Sequence, residues 1–432
     1  MTGFMELTPG QQLSFDKMKR IIENEYASFG FTPIDTPVLE RSEVLLAKAG
    51  GETEKQVYRF LKGNTDISMR FDLTVPLARY VAEHYNEIVF PFRRSQIGKV
   101  YRGERPQRGR FREFYQCDID VIGEESLSLI YDAEMPKVIY AIFSKLNLGS
   151  FTIKINNRKI LMGLMQHLEV EAQSLEILRV IDKIDKISAG EFNNELQKLG
   201  LKPGVVEIIG QFVKQRGLPE EVIKALRSMG VSNELFNQGI NELEEVTRLT
   251  RTLNLPYGLL VVDTSIARGL DYYTGTVYET TLNDYSQLGS VCSGGRYENL
   301  ASLYSKRRLP GVGISIGLTR LFSQLTELNL IPENRKTVAD TLILPLSANE
   351  ISLAAQLADS LRANDFKVDT YLGGGPIKKM FKFADRLGIN TVLIIGSDEA
   401  ASGKVTVQNM QTGQKTIVGM GEIDLMRDLC YN

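Results

Sequence analysis

A short arginine-rich segment is the first place where the sequence could do chemistry. Residues 99–121 read KVYRGERPQRGRFREFYQCDIDV and carry five arginines between Arg102 and Arg112, although the net charge of the whole chain is only −2. Arginine suits phosphate, because its planar guanidinium stays charged and donates two parallel hydrogen bonds. The segment therefore indicates a site for a phosphorylated ligand, and the alternative is an ordinary solvent-exposed hairpin loop.

Polar side chains follow this loop with the spacing of a β-strand. Every second residue is an aromatic, an amide or a carboxylate, and a pleated strand places such alternate side chains on one face. A face of this composition is suited to binding a ligand, and its aromatic ring could stack against a base. The four residues are Phe114, Gln116, Asp118 and Asp120.

Two further stretches contain groups suited to substrate binding. In SMRFDLTVPLARY, Asp72 and Thr74 lie two residues apart, and the carboxylate could bind a substrate ammonium group or could cap the helix that follows. In IARGLDYYTGTVYE, Arg268 precedes Tyr272 and Tyr273. Tyrosine pairs in strands usually pack against neighbouring strands, but an arginine before a glycine in a tyrosine-rich turn favours a functional role.

The glycine-rich runs are weaker signals. GVGISIGLTRL contains Gly311, Gly313 and Gly317, which let the backbone approach another group closely, and it places Arg320 on the helix after a strand. GSDEAASGKV imitates a phosphate loop, but its spacing is wrong and valine follows Lys404 where serine or threonine is required. With only two histidines, no Ser-His-Asp or Cys-His pair is credible. The pattern favours a reaction that depends on positioning and on stabilising charge on phosphate.

Other parts of the chain must fold into the elements that position these groups. A length of 432 residues and 43% hydrophobic composition predict two or three domains with packed cores. Three dispersed cysteines without a CxxC pair argue against a disulfide framework or a zinc site and fit a reducing cytosol. The sequence has neither an apolar signal-peptide core nor a run of about 18 apolar residues, so we expect a cytoplasmic protein without a membrane span.

Hydrophobic periodicity divides the chain into parts. Residues 97–102 and 111–121 read as two antiparallel strands, whereas residues 158–250 read as charged amphipathic helices that form an insertion. Beyond a polar linker near residues 332–337, strands and helices alternate through residues 338–432. That alternation predicts a separate α/β domain at the C-terminal end.

Taken together, these stretches resemble the class II aminoacyl-tRNA synthetases, and within them the histidyl-tRNA synthetase family. TPVLE around Pro37 is similar to motif 1 of that class, residues 99–121 to motif 2, and GVGISIGLTRL to motif 3. ARGLDYYTGTVYE and SGGRYENL resemble two signature peptides of the histidine enzymes. The resemblance covers essentially the whole chain. It implies an α+β catalytic domain built on an antiparallel sheet in residues 1–330, with the helical insertion at about 158–250, and an α/β anticodon-binding domain in residues 338–432.

The resemblance also implies roles for individual residues. Arg102 would hold the α-phosphate of ATP and Arg320 the γ-phosphate, while Arg268 would neutralise charge that builds up on the α-phosphate. Arg268 and Arg102 are therefore the expected catalytic residues. Phe114 would stack on adenine, and Glu104 would help to fix ATP. The residues expected around histidine are Asp72, Leu73, Thr74, Gln116, Asp120, Arg268, Tyr272 and Tyr273. Those expected to contact the tRNA acceptor stem are Arg105, Gln107, Arg108 and Arg110.

The resemblance implies a ligase that activates L-histidine with ATP and transfers it to the 3′ end of tRNA(His). Mg²⁺ would accompany the ATP phosphates without a metal site held by the protein, and motif 1 implies a homodimer. The alternative is a paralogous regulatory subunit of ATP phosphoribosyltransferase, which keeps the fold without the catalysis. That paralogue tends to lose the catalytic arginine and the C-terminal domain. Arg102, Arg268 and Arg320 are all present here, which favours the ligase.

Overall fold

A computed structural model describes residues 1–46, 51–105, 109–266, 272–298, 300–332 and 335–431. The chain divides into two units. The larger consists of Met1–Met5 and Met18–Leu328, and the smaller consists of Glu6–Lys17 and Asn329–Asn432. No helix within the described ranges combines the length and the apolarity that crossing a membrane requires.

The larger unit is built on a sheet that is mostly antiparallel. Nine described strands form this main sheet in the order β1-β5-β6-β12-β11-β10-β7-β9-β8, and three others form an accessory sheet in the order β2-β4-β3. Their bounds are Thr32–Pro33 (β1), Leu39–Arg41 (β2), Arg59–Lys62 (β3), Thr65–Met69 (β4), Phe92–Tyr101 (β5), Glu113–Ile122 (β6), Phe151–Asn157 (β7), Arg216–Gly217 (β8), Leu260–Asp263 (β9), Thr276–Leu282 (β10), Ser290–Tyr297 (β11) and Gly311–Gly317 (β12). Among the described strands of the main sheet, only the pairs β1–β5 and β7–β9 are parallel. The antiparallel framework expected from the sequence is therefore confirmed.

The helices before residue 330 include a long run between β7 and β9. Their bounds are Pro9–Ser28 (α1), Ser42–Leu46 (α2), Gly51–Gln56 (α3), Thr74–Glu83 (α4), Ile130–Leu146 (α5), Arg158–His167 (α6), Ser174–Ile181 (α7), Ala189–Lys198 (α8), Pro203–Phe212 (α9), Pro219–Ser228 (α10), Glu234–Thr252 (α11) and Leu318–Glu327 (α12). Local signals explain where several of them begin. Ser188 and Glu191 form a reciprocal capping box at the start of α8. The Asn233 side chain accepts a hydrogen bond from the Phe236 N–H and caps α11.

The hairpin of β5 and β6 carries the arginine-rich loop. Its antiparallel register places Arg94 opposite Asp120. Along β6, the side chains of Cys117, Ile119 and Val121 are completely buried. Because side chains alternate along a strand, the polar residues between them face the opposite side of the sheet, where the site described below lies.

The smaller unit is an α/β domain with a mixed sheet. Its strands are Thr341–Pro345 (β13), Val368–Thr370 (β14), Thr391–Ile395 (β15), Lys404–Asn409 (β16) and Lys415–Gly419 (β17), and its helices are Ile351–Ala363 (α13), Ile377–Leu387 (α14), Ser397–Ser402 (α15) and Ile423–Tyr431 (α16). The sheet order is β14-β13-β15-β16-β17. β14, β13 and β15 are parallel, and β16 and β17 continue the sheet as an antiparallel pair. The expected alternation is confirmed, and β14 and β17 form the two edges of the sheet.

Both faces of the central strands of this domain are buried. On β13, Ile343 packs into one apolar cluster and Leu342 into another. Leu393 and Val392 on β15 divide in the same way. Parallel strands covered on both sides read as continuous apolar runs, which is why TLILP and TVLII lack an alternating pattern.

Candidate active site

A cavity of about 380 Å³ opens over the polar face of β6 and its neighbours β11 and β12. Segments far apart in the sequence meet there, from the loop before α4 to the first turn of α12. Most of the residues expected from the sequence to form the site line this one cavity. They are Asp72, Thr74, Arg102, Glu104, Arg110, Phe114, Gln116, Asp120, Tyr272, Tyr273 and Arg320.

Five of the expected site residues do not belong to this lining as described. Leu73 is completely buried beneath the site, and its carbonyl oxygen accepts a hydrogen bond of 3.4 Å from Arg94 Nη2. Arg105 is exposed to solvent outside the cavity. The other three, Gln107, Arg108 and Arg268, lie outside the described residues.

A buried ion pair lies at one wall of the cavity, which Asp120 lines. Arg94 Nη2 lies 2.6 Å from Asp120 Oδ2, and both side chains are almost inaccessible to solvent. The Tyr297 hydroxyl donates a hydrogen bond of 2.9 Å to the other oxygen of Asp120. Burial raises the pKa of Asp120 to about 6, although Arg94 and Tyr297 oppose that rise.

Two more carboxylates lie close to this pair. Asp72 Oδ1 accepts a hydrogen bond of 3.0 Å from the Val75 backbone N–H, so the capping role considered for Asp72 is confirmed, and the same carboxylate also lines the cavity. Asp118 is 2% exposed and lines the cavity too. Burial raises the pKa of Asp72, and it raises the pKa of Asp118 to about 7.

Neutral polar groups line the cavity together with these carboxylates. Gln116 Nε2 donates a hydrogen bond of 2.8 Å to Ser315 Oγ on the neighbouring strand β12. The rings of Tyr272 and Tyr273 meet edge to face with their centroids 5.0 Å apart, and Tyr272 meets Tyr297 in the same way at 5.9 Å. Carboxylates, an amide and phenol hydroxyls together suit a small ligand that offers several N–H donors.

Three arginines, Arg102, Arg110 and Arg320, also line the cavity. The Arg102 guanidinium lies over the Phe71 ring at 4.3 Å and over the Phe114 ring at 5.1 Å, measured from Cζ to the ring centroids. Its Nε donates a hydrogen bond of 3.2 Å to the Phe71 carbonyl oxygen. Arg320, on the first turn of α12, donates from Nη2 to the Leu288 carbonyl oxygen at 2.7 Å. Two arginines held in this way form a binding surface for an anion.

The glycines of β12 have a packing role rather than a phosphate-binding one. A Cβ atom on Gly311 would lie 2.4 Å from the Tyr297 ring, and one on Gly313 would lie 2.3 Å from Asp120 Oδ1. The close approach expected at these positions is confirmed, because only glycine leaves room for these two site side chains. At Gly317 the nearest atom is Arg320 Cβ, at 3.9 Å, so no such constraint acts there.

Sequence inspection missed two residues of this site, Arg94 and Tyr297, whereas it placed Asp118 on the polar face of the strand without giving it a role. The β5–β6 register is the signal that could have identified Arg94, because it places that arginine opposite Asp120. Tyr297 follows Arg296 in SGGRYENL, and Arg296 itself forms a buried pair with Asp132 through Nε at 3.0 Å. That pair joins β11 to α5 and leaves Tyr297 facing the cavity.

Comparison with known proteins agrees with this geometry. A family model described as histidyl-tRNA synthetase matches residues 3–321, and one described as an anticodon binding domain matches residues 340–424. The chain belongs to the histidyl-tRNA synthetase family. The resemblance inferred from the motifs is thereby confirmed, as is an anticodon-binding domain of this family at the C-terminal end.

Individual members of the histidyl-tRNA synthetase family align over nearly the full length. The chain is 52% identical to a histidine–tRNA ligase of Clostridium tetani, over 98% of this chain and 96% of that one. The crystal structure of a histidyl-tRNA synthetase from Nostoc sp. PCC 7120 superposes with a TM-score of 0.90 at 40% identity, covering 99% of this chain and 98% of that one. A Bacillus halodurans structure titled as an ATP phosphoribosyltransferase regulatory subunit/histidyl-tRNA synthetase has a TM-score of 0.74 at 21% identity, covering 88% of this chain and 95% of that one. At that identity it shares the fold alone.

Proposed function

We propose that the chain is a histidine–tRNA ligase. The observation that carries this proposal is a single cavity lined both by arginines and by buried carboxylates. The arginines suit the phosphates of a nucleoside triphosphate. The carboxylates suit the ammonium group and the ring nitrogens of histidine. A site that holds both ligands side by side is suited to joining them.

We assign ATP to the arginines and their neighbours, which are the residues that the family resemblance implies. Arg102 holds the α-phosphate, Arg320 the γ-phosphate, and Phe114 stacks on adenine while Glu104 helps to fix the nucleotide. Arg268 neutralises the charge that develops at the α-phosphate, and with Arg102 it forms the catalytic pair. The packing of Arg102 against two aromatic rings supports its assignment to the α-phosphate. A cation that is already fixed needs little reorganisation when negative charge develops on the phosphate.

We assign histidine to the carboxylates and tyrosines. Asp72 pairs with the ammonium group of histidine, and Asp120, together with Tyr272 and Tyr273, faces the imidazole. The partners already present support this division, since Asp120 is held by Arg94 and Tyr297. A site built on hydrogen bonds rejects analogues that lack the matching donor by roughly 10⁴-fold or more. The complete proposed set for histidine is Asp72, Leu73, Thr74, Gln116, Asp120, Arg268, Tyr272 and Tyr273.

The proposed reaction has two steps in one site. A carboxylate oxygen of histidine attacks the α-phosphorus of ATP in line, the bond to pyrophosphate breaks, and histidyl-adenylate forms. The 3′-hydroxyl of the terminal tRNA ribose then attacks the activated carbonyl carbon, and AMP leaves. Neither step needs a side-chain nucleophile, so the protein contributes position and charge stabilisation.

Mg²⁺ would enter with the ATP phosphates. The phosphates themselves would hold the ion, which when bound neutralises part of their charge. Arg102 and Arg320 supply the fixed part of that neutralisation from the protein itself.

We further propose the partners and the domain roles. The loop residues Arg105, Gln107, Arg108 and Arg110 contact the acceptor stem of tRNA(His), residues 1–330 form the catalytic domain with its insertion at about 158–250, and residues 338–432 bind the anticodon. Motif 1 joins two copies in a homodimer, and the enzyme works in the cytoplasm. The match of residues 340–424 to an anticodon binding domain supports the assignment of the C-terminal part.

A test of the activity is ATP–pyrophosphate exchange, run separately with each of the twenty amino acids. We expect exchange with L-histidine alone, because the proposed carboxylates and tyrosines select for ring N–H groups. Size-exclusion chromatography with light scattering would report on the proposed dimer in the same preparation. A folded protein that binds histidine but supports no exchange would instead identify the regulatory paralogue.

Replacing Gln107 by alanine should impair transfer to tRNA more than adenylate formation. A contact to the first nucleotides of the acceptor stem acts only once tRNA is bound, so we expect the single-turnover transfer rate to fall roughly tenfold with the exchange rate unchanged. Pre-formed enzyme–adenylate mixed with tRNA in a rapid-quench experiment measures the transfer step. Equal losses in both steps would refute the assignment of Gln107 to tRNA.

A further inference from the structure

The segment Met1–Met5 contacts the start of strand β6, where the arginine-rich loop rejoins the sheet. The Gly3 carbonyl oxygen accepts a hydrogen bond of 2.7 Å from the Arg112 backbone N–H and a longer one of 3.4 Å from that of Glu113. This segment belongs to the same unit of the chain as the loop. None of the roles proposed above uses it.

The contact supplies a hydrogen-bond partner at a place where the sheet ends. The described ladder between β12 and β6 stops at Gln116, so the first residues of β6 extend beyond their neighbour on that side. Backbone N–H groups that leave a ladder need other acceptors. The Thr319 hydroxyl accepts the N–H of Tyr115 at 2.8 Å, and Gly3 does the same for Glu113. The Gly3 carbonyl therefore continues the support of β6 past the end of β12.

Two features make glycine necessary at position 3. Its φ of +87° lies in the left-handed region that favours glycine. A Cβ atom at this position would also lie 3.0 Å from Arg112 Cγ, because the Arg112 side chain packs directly over the Gly3 backbone. A larger residue would have to displace either the segment or Arg112.

Arg112 connects this contact to both ends of the loop. Its carbonyl oxygen accepts a hydrogen bond of 2.9 Å from the Arg102 backbone N–H. Its Nε donates one of 3.2 Å to the Glu104 carbonyl oxygen. The two ends of the loop and the segment Met1–Met5 therefore meet at Arg112.

Arg110 lies between this junction and a second fixed point. A Cβ atom on Gly109 would lie 2.7 Å from Gln324 Nε2, so the loop backbone packs closely on α12. The Arg110 side chain is half exposed, and its Nη1 lies 3.5 Å from Glu104 Oε2. Because an exposed ion pair of this kind contributes little, the backbone on either side of Arg110 has to set the direction of its guanidinium.

We propose that Gly3 is a positioning residue for transfer to tRNA: its carbonyl oxygen fixes Arg112, which holds the loop so that Arg110 faces the acceptor stem. The inference rests on the proposed ligase function and on the assignment of Arg110 to tRNA. Arg102 depends less on Gly3, because two aromatic rings hold its guanidinium. Loss of the contact should therefore affect the transfer of histidine more than its activation.

The test uses two variants that remove the contact in different ways. Gly3→Val introduces a side chain against Arg112, whereas a chain that begins at Met5 lacks the Gly3 carbonyl and adds no strain. In both, we expect single-turnover transfer from pre-formed enzyme–adenylate to fall roughly 10- to 100-fold while ATP–pyrophosphate exchange changes little. Amide hydrogen exchange, followed by mass spectrometry, should become faster in the peptide that contains Arg112 and Glu113.

Gly258→Val is the matched control for Gly3→Val. Gly258 is exposed and also has a positive φ, +79°, but a Cβ atom there would meet no atom of the described residues within 4 Å. The change therefore introduces the same side chain in a similar backbone conformation without a neighbour to displace. Its transfer rate and its ATP–pyrophosphate exchange rate should equal those of the wild type.

Two results would overturn the inference. Equal losses of transfer and activation would mean that the segment supports the whole cavity rather than the loop. Normal transfer in the shortened chain would mean that the reaction does not use the contact, even if amide exchange at Arg112 becomes faster. If Gly3→Val does not fold, as judged by circular dichroism, the shortened chain decides alone.

Failure of the proposed function would give a different result. The wild-type chain would then support no ATP–pyrophosphate exchange with any amino acid. In that case amide exchange still tests the contact, since an unchanged rate at Arg112 in the shortened chain would show that Gly3 does not hold the loop.

Discussion

Replacing Arg102 by alanine is expected to lower the rate of histidine-dependent ATP–pyrophosphate exchange by roughly 100- to 1,000-fold. The guanidinium packs against Phe71 and Phe114 and donates a hydrogen bond to the Phe71 carbonyl oxygen. It is therefore held in the cavity before substrates arrive. Alanine removes a fixed positive charge from the position where negative charge develops on the α-phosphate.

Lys99→Ala is the matched control for Arg102→Ala. Lys99 is a cation on β5, three residues before Arg102, but it lies outside the cavity lining, and its Nζ pairs with Glu113 Oε1 at 2.8 Å. We expect normal exchange in this variant and a normal circular dichroism spectrum in both. A fall of less than about tenfold in Arg102→Ala would contradict the role assigned to this arginine. A rise in the KM for ATP without a change in kcat would reduce that role to ground-state binding.

Replacing Arg94 by methionine should lower the free energy of unfolding by about 3 to 5 kcal/mol. Arg94 is the largest completely buried side chain in the described part of the chain, and it compensates the buried charge of Asp120 at 2.6 Å. Its charge also lowers the pKa values of Asp118 and Asp72. Methionine fills much of the same volume but removes the cation that lowers the pKa values of Asp118 and Asp120.

The loss should depend on pH, with a sign that follows from the raised pKa values. In the folded chain Asp118 and Asp120 have pKa values of about 7 and 6, above the ordinary value of about 3.9. Their contribution to stability is therefore greatest below about pH 4 and is lost as the pH rises through 6 and 7. Without Arg94 both pKa values rise further, so the deficit of the variant should be larger at pH 8 than at pH 5.

Urea denaturation at pH 5 and pH 8 measures this effect, with Arg93→Met as the control. Arg93 is the neighbouring residue and pairs with Glu134 through two contacts of 2.9 Å, but both side chains are about one-fifth exposed. Replacing Arg93 by methionine should lower the free energy of unfolding by less than Arg94→Met does, and this loss should depend little on pH. An Arg94→Met deficit that is the same at both pH values would show that lost packing, rather than uncompensated buried charge, determines the stability of this wall of the cavity.

Several features of this protein follow from the sequence alone because they depend on local periodicity. The alternation in β6 identifies the polar face that carries Gln116 and Asp120, since a strand has a period of two residues. The apolar runs of β13 and β15 predict an α/β domain in the same way. The family resemblance rests on short contiguous motifs, and most of the site residues named within them line one cavity.

Only the tertiary structure decides which residues, far apart in the sequence, form buried ion pairs and hydrogen bonds. Tyr297 reaches Asp120 across 177 positions of sequence, and Arg296 reaches Asp132 across 164. Such pairs depend on how strands order themselves in the sheet, which no local period encodes. The same holds for Asp118: the sequence places it on the polar face of β6, but its burial and the nearby charge of Arg94 follow from the packing of the sheet. Charge pairing in a buried site is a property of packing, because both position and desolvation are set by neighbours that are remote in the chain.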